Sequence, residues 1–207
     1  AGAAWQESPG VVWRLTPTSG SPANPHPMPD LLERGSGSTE QAWAEARSAL
    51  EAALVDRFAG DTSSEVQRIF PYWRETLECI ELNDSCTGDI RDRYVGLSPY
   101  FALPMQADFL VAWGVNHEVT GKSSYASVSV QTIESQRGIE SVDSRRMLGS
   151  ARPYLDHPLV DDLYVVVFAR DCAPFEGVCV EVPWTCPGGG ADELLKITGR
   201  AYLEPTT

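Results

Sequence analysis

Apolar side chains at Trp43, Ala46, Leu50, Leu54 and Phe58 return every three or four positions, with Ala53 beside them, which sets them on one stripe of an α-helix. Ser38-Thr39-Glu40-Gln41 supplies a Ser-x-x-Gln capping box ahead of the stripe, and Gly60 stands where a helix stops. The spacing predicts a helix over 39–58, with Glu45, Arg47, Ser48, Glu51 and Asp56 on its solvated face. Beyond it the period shifts towards two. Residues 66–70, 76–82, 100–103, 109–115, 125–133, 163–169, 179–182 and 194–203 read as strands, separated by clusters of Pro, Gly, Asn and Asp. The segment around Pro71–Thr76 fits a helical turn equally well. No helix of crossover length lies between the later strands, which argues against parallel βαβ units. The expected fold is mainly β (α+β): an antiparallel β-sandwich with one amphipathic helix.

Residues 1–37 lack either period. Prolines at 9, 17, 22, 25, 27 and 29 stand among Gly and Ser, and only Val11–Leu15 reads as a strand, so this part is expected to be an extended arm. Such a segment makes no core of its own, and Trp5 and Trp13 become candidate binding residues that pack on the body or on a partner. Residues 38–207 are then one helix-plus-sandwich domain, a length that a single core supports.

A net charge of −13 opposes nucleic-acid binding, which draws its affinity from Lys and Arg displacing counterions. No apolar run approaches the roughly 18–20 residues that span a bilayer, so membrane association is expected only at the periphery, through a partner. The start at Ala1-Gly-Ala-Ala suits a terminus left by removal of a targeting peptide. Cysteines 79, 86, 172, 179 and 186 fall in turn-like sequence, with seven residues from Cys79 to Cys86, from Cys172 to Cys179 and from Cys179 to Cys186. That placement favours disulfides and an extracytoplasmic, oxidising compartment. Cys79–Cys86 and Cys172–Cys179 are the expected bridges. Cys186 is left free or intermolecular, although Cys172–Cys186 and Cys179–Cys186 also satisfy the spacing. The tripeptide Asn83-Asp84-Ser85 is an N-glycosylation acceptor pattern inside the first cysteine loop.

Candidate chemistry concentrates after residue 108, where an apolar strand runs into a turn carrying Asn116, His117, Glu118 and Lys122. His117 is suited to acid–base work near neutral pH with Glu118 or Asp108 orienting it, Lys122 to holding an anion, and Asn116 to binding. Gly121-Lys122-Ser123 lacks the first glycine of a phosphate-binding loop, since Asn116 stands there, and Gly121 occupies the second His position of a His-Glu-x-x-His zinc motif. The plainer expectation is a hairpin turn in which Asn116, His117 and Thr120 satisfy backbone groups. A second cluster, Asp156, His157 and Asp161, offers carboxylates to calcium or an imidazole to a softer metal, without the spacing of a calcium loop. No motif calls for a bound cofactor.

The order Tyr125-Ala-Ser-Val-Ser-Val130, Gly149-Ser-Ala151, Leu163-Tyr-Val-Val-Val167 and Ile197–Pro205 resembles the closing domain of a bacterial family of exported β-sandwich proteins of uncharacterised function. That family ends in an Arg-x-Tyr-x-Pro strand, here Arg200, Tyr202 and, one residue late, Pro205. The resemblance covers residues 100–205 and implies a sandwich fold outside the cytoplasm. It supplies no catalytic residues, and the cysteine-bearing stretch 171–190 departs from it. The leading expectation is therefore a non-catalytic binding or structural module, an accessory subunit that docks on other protein chains. The alternatives are a hydrolase or carbohydrate-active enzyme built on His117, and a metal- or ligand-binding sandwich built on His157.

Overall fold

The α-helix α1 (Ala44–Phe58) follows a 3₁₀ segment at Ser38–Trp43, and it buries Ala46, Leu50 and Leu54 with Trp43 and Phe58 alongside. The computed structural model describes residues 38–60, 70–71, 93–184 and 192–203. The expected stripe is the buried stripe, while the α-helix proper starts five residues later than 39. Trp43 caps it without a side-chain hydrogen bond, and the side chain of Ser38 lies outside the described set. The arm at 1–37, the expected strand at 76–82, Asn83, and Cys79, Cys86 and Cys186 also lie outside the described residues.

The fold is mainly β, of the α+β class, with two sheets. Strands β1 (Phe70–Pro71), β2 (Arg93–Leu97), β4 (Ser123–Thr132), β5 (Gly138–Asp143) and β8 (Leu195–Leu203) form an antiparallel five-stranded sheet in the order β1-β2-β8-β4-β5. Strands β3 (Phe109–Val115), β6 (Leu163–Ala169) and β7 (Val178–Glu181) form a second sheet, β3-β6-β7. Strand β6 matches its expected span, and β2 and β5 are additions that residue periodicity did not predict. Both carry a glycine and charged residues in place of a clean alternation. Residues 100–103 make only an isolated bridge, Phe101 to Leu195.

The expectation of a wholly antiparallel fold is corrected at one pair: β7 runs parallel to β6. Chain direction reverses twice between Arg170 and Gly177, in fewer than the dozen or so residues that a parallel connection ordinarily takes. A disulfide between Cys172 and Cys179, with Cα atoms 5.7 Å apart, closes this return loop as expected. Gly177 makes the last turn at φ 78°, a conformation that favours glycine. Phe175 in the loop packs on Phe109 at 4.8 Å and on Phe58 at 6.3 Å between ring centroids, so the loop is fastened to β3 and to the end of α1. The Tyr154 hydroxyl donates to the Glu176 carbonyl at 2.7 Å, and burial raises its pKa above the ordinary tyrosine value.

The three-stranded sheet is the middle layer. One face meets the five-stranded sheet through Ala112, Val166, Phe168 and Val180 against Val128, Val130, Val142, Leu195 and Ile197. The other meets α1 through Val115, Leu163 and Val165. Double coverage is why β6 reads Leu-Tyr-Val-Val-Val-Phe-Ala without alternation. Strand β4 alternates in apolar character: Ala126, Val128 and Val130 face the core, while the other row carries Tyr125, exposed, Ser127, buried, and Ser129 and Gln131, half-buried.

Immediately after β6 the side chain of Arg170 turns inward and is only 2% exposed. Its Nε donates to the Leu103 carbonyl at 2.9 Å, one terminal nitrogen donates to the carbonyls of Val182 and Pro183 at 3.0 and 3.2 Å, and its guanidinium lies 4.0 Å from the Trp184 ring centroid. Burial pushes its pKa down and the Asp108 charge pulls it back up. Arg170→Ala strands these carbonyls and is expected to lower unfolding free energy by about 3 kcal/mol or more in urea titration. Replacing Cys172 and Cys179 by serine releases the return loop and is expected to cost about 2.5 kcal/mol on the loop-entropy model, read as a shift of the same urea midpoint.

Candidate functional site

The chain leaves β3 at Asn116 and enters β4 at Ser123, and these strands belong to different sheets. The expected hairpin is corrected accordingly: residues 116–122 are a crossover between layers. It coils tightly, the Asn116 carbonyl accepting from the amides of Val119 and Thr120 and the His117 carbonyl from those of Lys122 and Ser123. Gly121, at φ 75°, reverses the coil.

Asn116 is the hub of this crossover and is 1% exposed. Its amide N–H donates to the Asp162 carbonyl at 2.7 Å, and its Nδ2 donates to the Ser144 carbonyl at 2.8 Å. Ser144 in turn donates its hydroxyl to Glu118 Oε2 and accepts the Ala126 amide at 3.3 Å. Arg145 stands 4.0 Å from the other Glu118 oxygen. Across the crossover, the Lys122 ammonium lies 4.7 Å from the Trp43 ring centroid, and Trp43 Nε1 donates to Asp162 Oδ2 at 2.8 Å. Asn116, Glu118 and Lys122 thus have Ser144, Asp162 and Trp43 as partners that lie far away in sequence, and His117 sits half-buried in the same coil. Thr120 also satisfies a backbone group, its hydroxyl reaching the His117 carbonyl at 3.3 Å.

Asp108 does not join them. It precedes β3 while His117 follows it, so a strand's length of roughly 20 Å or more separates the two and the Asp108–His117 pairing is ruled out. Asp108 instead accepts the Met105 amide at 2.7 Å beside Arg170. The second polar cluster is also dispersed. Asp161 forms a two-pronged ion pair with Arg152 at 2.6 and 2.9 Å, and that hydrogen-bonded partner lowers its pKa. His157 Nδ1 accepts the Leu159 amide at 3.1 Å, and Asp156 is exposed. Among the described residues no group of three His, Cys, Asp or Glu side chains is placed to hold a metal ion. Trp5 and Trp13 lie outside the described residues.

The other end of the middle sheet carries a feature that residue spacing did not suggest. The segment before β3, the exit from β7 and the entry to β8 meet there, joined by Arg170, by the Phe101–Leu195 bridge and by Trp184 Nε1 donating to Gln106 Oε1 at 3.2 Å. Tyr100 is 63% exposed, Met105 62%, Leu194 49% and Trp184 39%. These side chains lie in three separate segments, so no local pattern could gather them into one rim.

The crossover acts as a clamp between layers. Asn116→Ala leaves the Ser144 carbonyl without its donor and is expected to destabilise the fold by about 1–3 kcal/mol, measured by thermal or urea unfolding. No protein-family model, curated protein or solved structure significantly matches the chain.

Proposed function

We propose that this protein is a non-catalytic binding module of an oxidising, extracytoplasmic compartment, an accessory subunit that docks on another protein chain through the rim of Tyr100, Met105, Trp184 and Leu194. The exposure of these large apolar side chains at one end of the sandwich carries the reading. Exposed apolar residues that occur singly need no explanation, whereas several gathered on a rigid frame mark an interaction surface. Tyr, Trp and Met are also types that protein interfaces favour. The frame is rigid because Arg170 fixes the backbone at Leu103, Val182 and Pro183 from beneath.

The disulfide in the return loop supports the choice of compartment, since such bridges persist where the surroundings are oxidising. Among the described residues no helix is long and apolar enough to cross a membrane. A net charge of −13 favours a partner surface with basic groups around an apolar centre.

Native mass spectrometry of the protein isolated gently from its source tests the proposal. A stoichiometric complex with another chain is expected. The double variant Tyr100→Ser/Met105→Ser should lose that partner while its unfolding free energy stays within about 0.5 kcal/mol, because both side chains are mostly in solvent. A lone monomer, or a complex indifferent to the double variant, overturns the docking rim.

A further inference from the structure

The outward face of the five-stranded sheet is hollow. A concavity of about 590 Å³ lies over β5, β4 and β8, with Tyr125, Ser127, Ser129, Gln131, Gly138, Arg200 and Tyr202 in its lining. Two features of β4 accompany the hollow. Its register against β5 shifts between Val130 and Gln131, and its register against β8 shifts between Ser123 and Tyr125. Irregularities of this kind bend a strand and increase local twist, which dishes the sheet.

Register sets the chemistry of the hollow. Ser129 lies opposite Ser141 on one side and Thr198 on the other, and Ser127 lies opposite Arg200, so short hydroxyl side chains make the floor. Tyr125 and Tyr202 are cross-strand partners whose rings stand 5.9 Å apart and tilted by 54°, walling one end. Gln131 and Arg200 add longer polar groups. Ser129 holds its place loosely, donating to the Thr198 carbonyl and accepting from Gln131 Nε2, both at 3.3 Å. Thr198 is 2% exposed, and among the described residues its hydroxyl has no hydrogen-bond partner.

We infer that this hollow binds a neutral, linear oligosaccharide. Its floor is too polar for a lipid chain or an apolar peptide side chain, and the overall charge of −13 repels polyanions. Arg200 and Asp143 flank Ser127 on one row of the sheet and offset each other, so this row makes no net demand for charge. A sugar presents the two matching surfaces at once: hydroxyls that exchange hydrogen bonds with Ser, Gln and Arg, and a C–H face that packs on Tyr125 or Tyr202. The hollow is independent of the docking rim and shares no residue with it.

Titration calorimetry and amide chemical shifts with linear oligosaccharides of β-1,4-glucose, α-1,4-glucose and β-1,4-N-acetylglucosamine test the inference. Binding of at least one is expected, with shifts in β4, β5 and β8. Gly138→Trp should weaken it by about tenfold or more. Gly138 lines the hollow and a Cβ there meets nothing within 4 Å, so a large side chain is added at the lining without a clash at its root. Tyr125→Ala should weaken binding through the loss of one ring, while Tyr100→Ser/Met105→Ser should leave it unchanged. No binding by any of the three sugars, or binding that survives both Gly138→Trp and Tyr125→Ala, overturns the inference and leaves the docking rim untouched.

Discussion

Strand β6 is covered on both faces, and the rest of the fold is arranged around that constraint. Val165 and Val166 are neighbours in sequence that face different cores, one beneath α1 and the other against the five-stranded sheet. A strand in this position has no solvated face on which to place polar side chains. Its backbone donors and acceptors must therefore be met by ladders on both edges, β3 on one and β7 on the other. Double coverage and double pairing together explain why so short a strand, seven residues, can organise three layers.

Both ends of the β3–β6 ladder are closed by polar groups drawn inward. At one end Arg170 donates its amide to the Asp108 carbonyl at 3.3 Å and sends its guanidinium across to the segments entering β3 and leaving β7. At the other, Asn116 joins the Asp162 carbonyl and holds Ser144. A buried Arg or Asn is costly unless its hydrogen bonds are made; Arg170 and the Asn116 Nδ2 make bonds that specify which loops meet, while Asn116 Oδ1 has no partner among the described residues. The same economy separates stability from exposure. At the end closed by Asn116 polar side chains bond one another and the backbone, while the end closed by Arg170 carries apolar side chains in solvent.

Legibility in sequence followed the range of the interactions. The buried stripe of α1, the span of β6 and the alternation of β4 were readable because each depends on a period within one element. Strands β2 and β5 were not, since they are held by cross-strand pairing that compensates for glycine and charged residues. The parallel β7 escaped because its return loop depends on the Cys172–Cys179 bridge and on the Phe175 contacts with other elements. Among candidate site residues, Asn116, Glu118 and Lys122 were visible as an unusual polar group in one loop. Ser144, Asp162 and Arg170 were not, because Ser after Asp143 and Arg after an apolar strand look the same whether buried or solvated.

By itself the sequence determined the mainly β class, the buried face of the helix and the apolar middle strand, whereas Cys172–Cys179 and Cys179–Cys186 had the same spacing and the folded return loop chose the first. The class, the helix face and the middle strand rest on spacing along the chain, where burial of apolar area selects one face. Only the tertiary structure decided that β3 and β4 belong to different sheets, that Asp108 and His117 lie at opposite ends of a strand, and that Arg170 is inside. It also decided which serines share a floor and which apolar side chains share a rim. Those outcomes depend on strand register and on contacts between distant segments, and a periodicity of two or of 3.6 carries no information about partners.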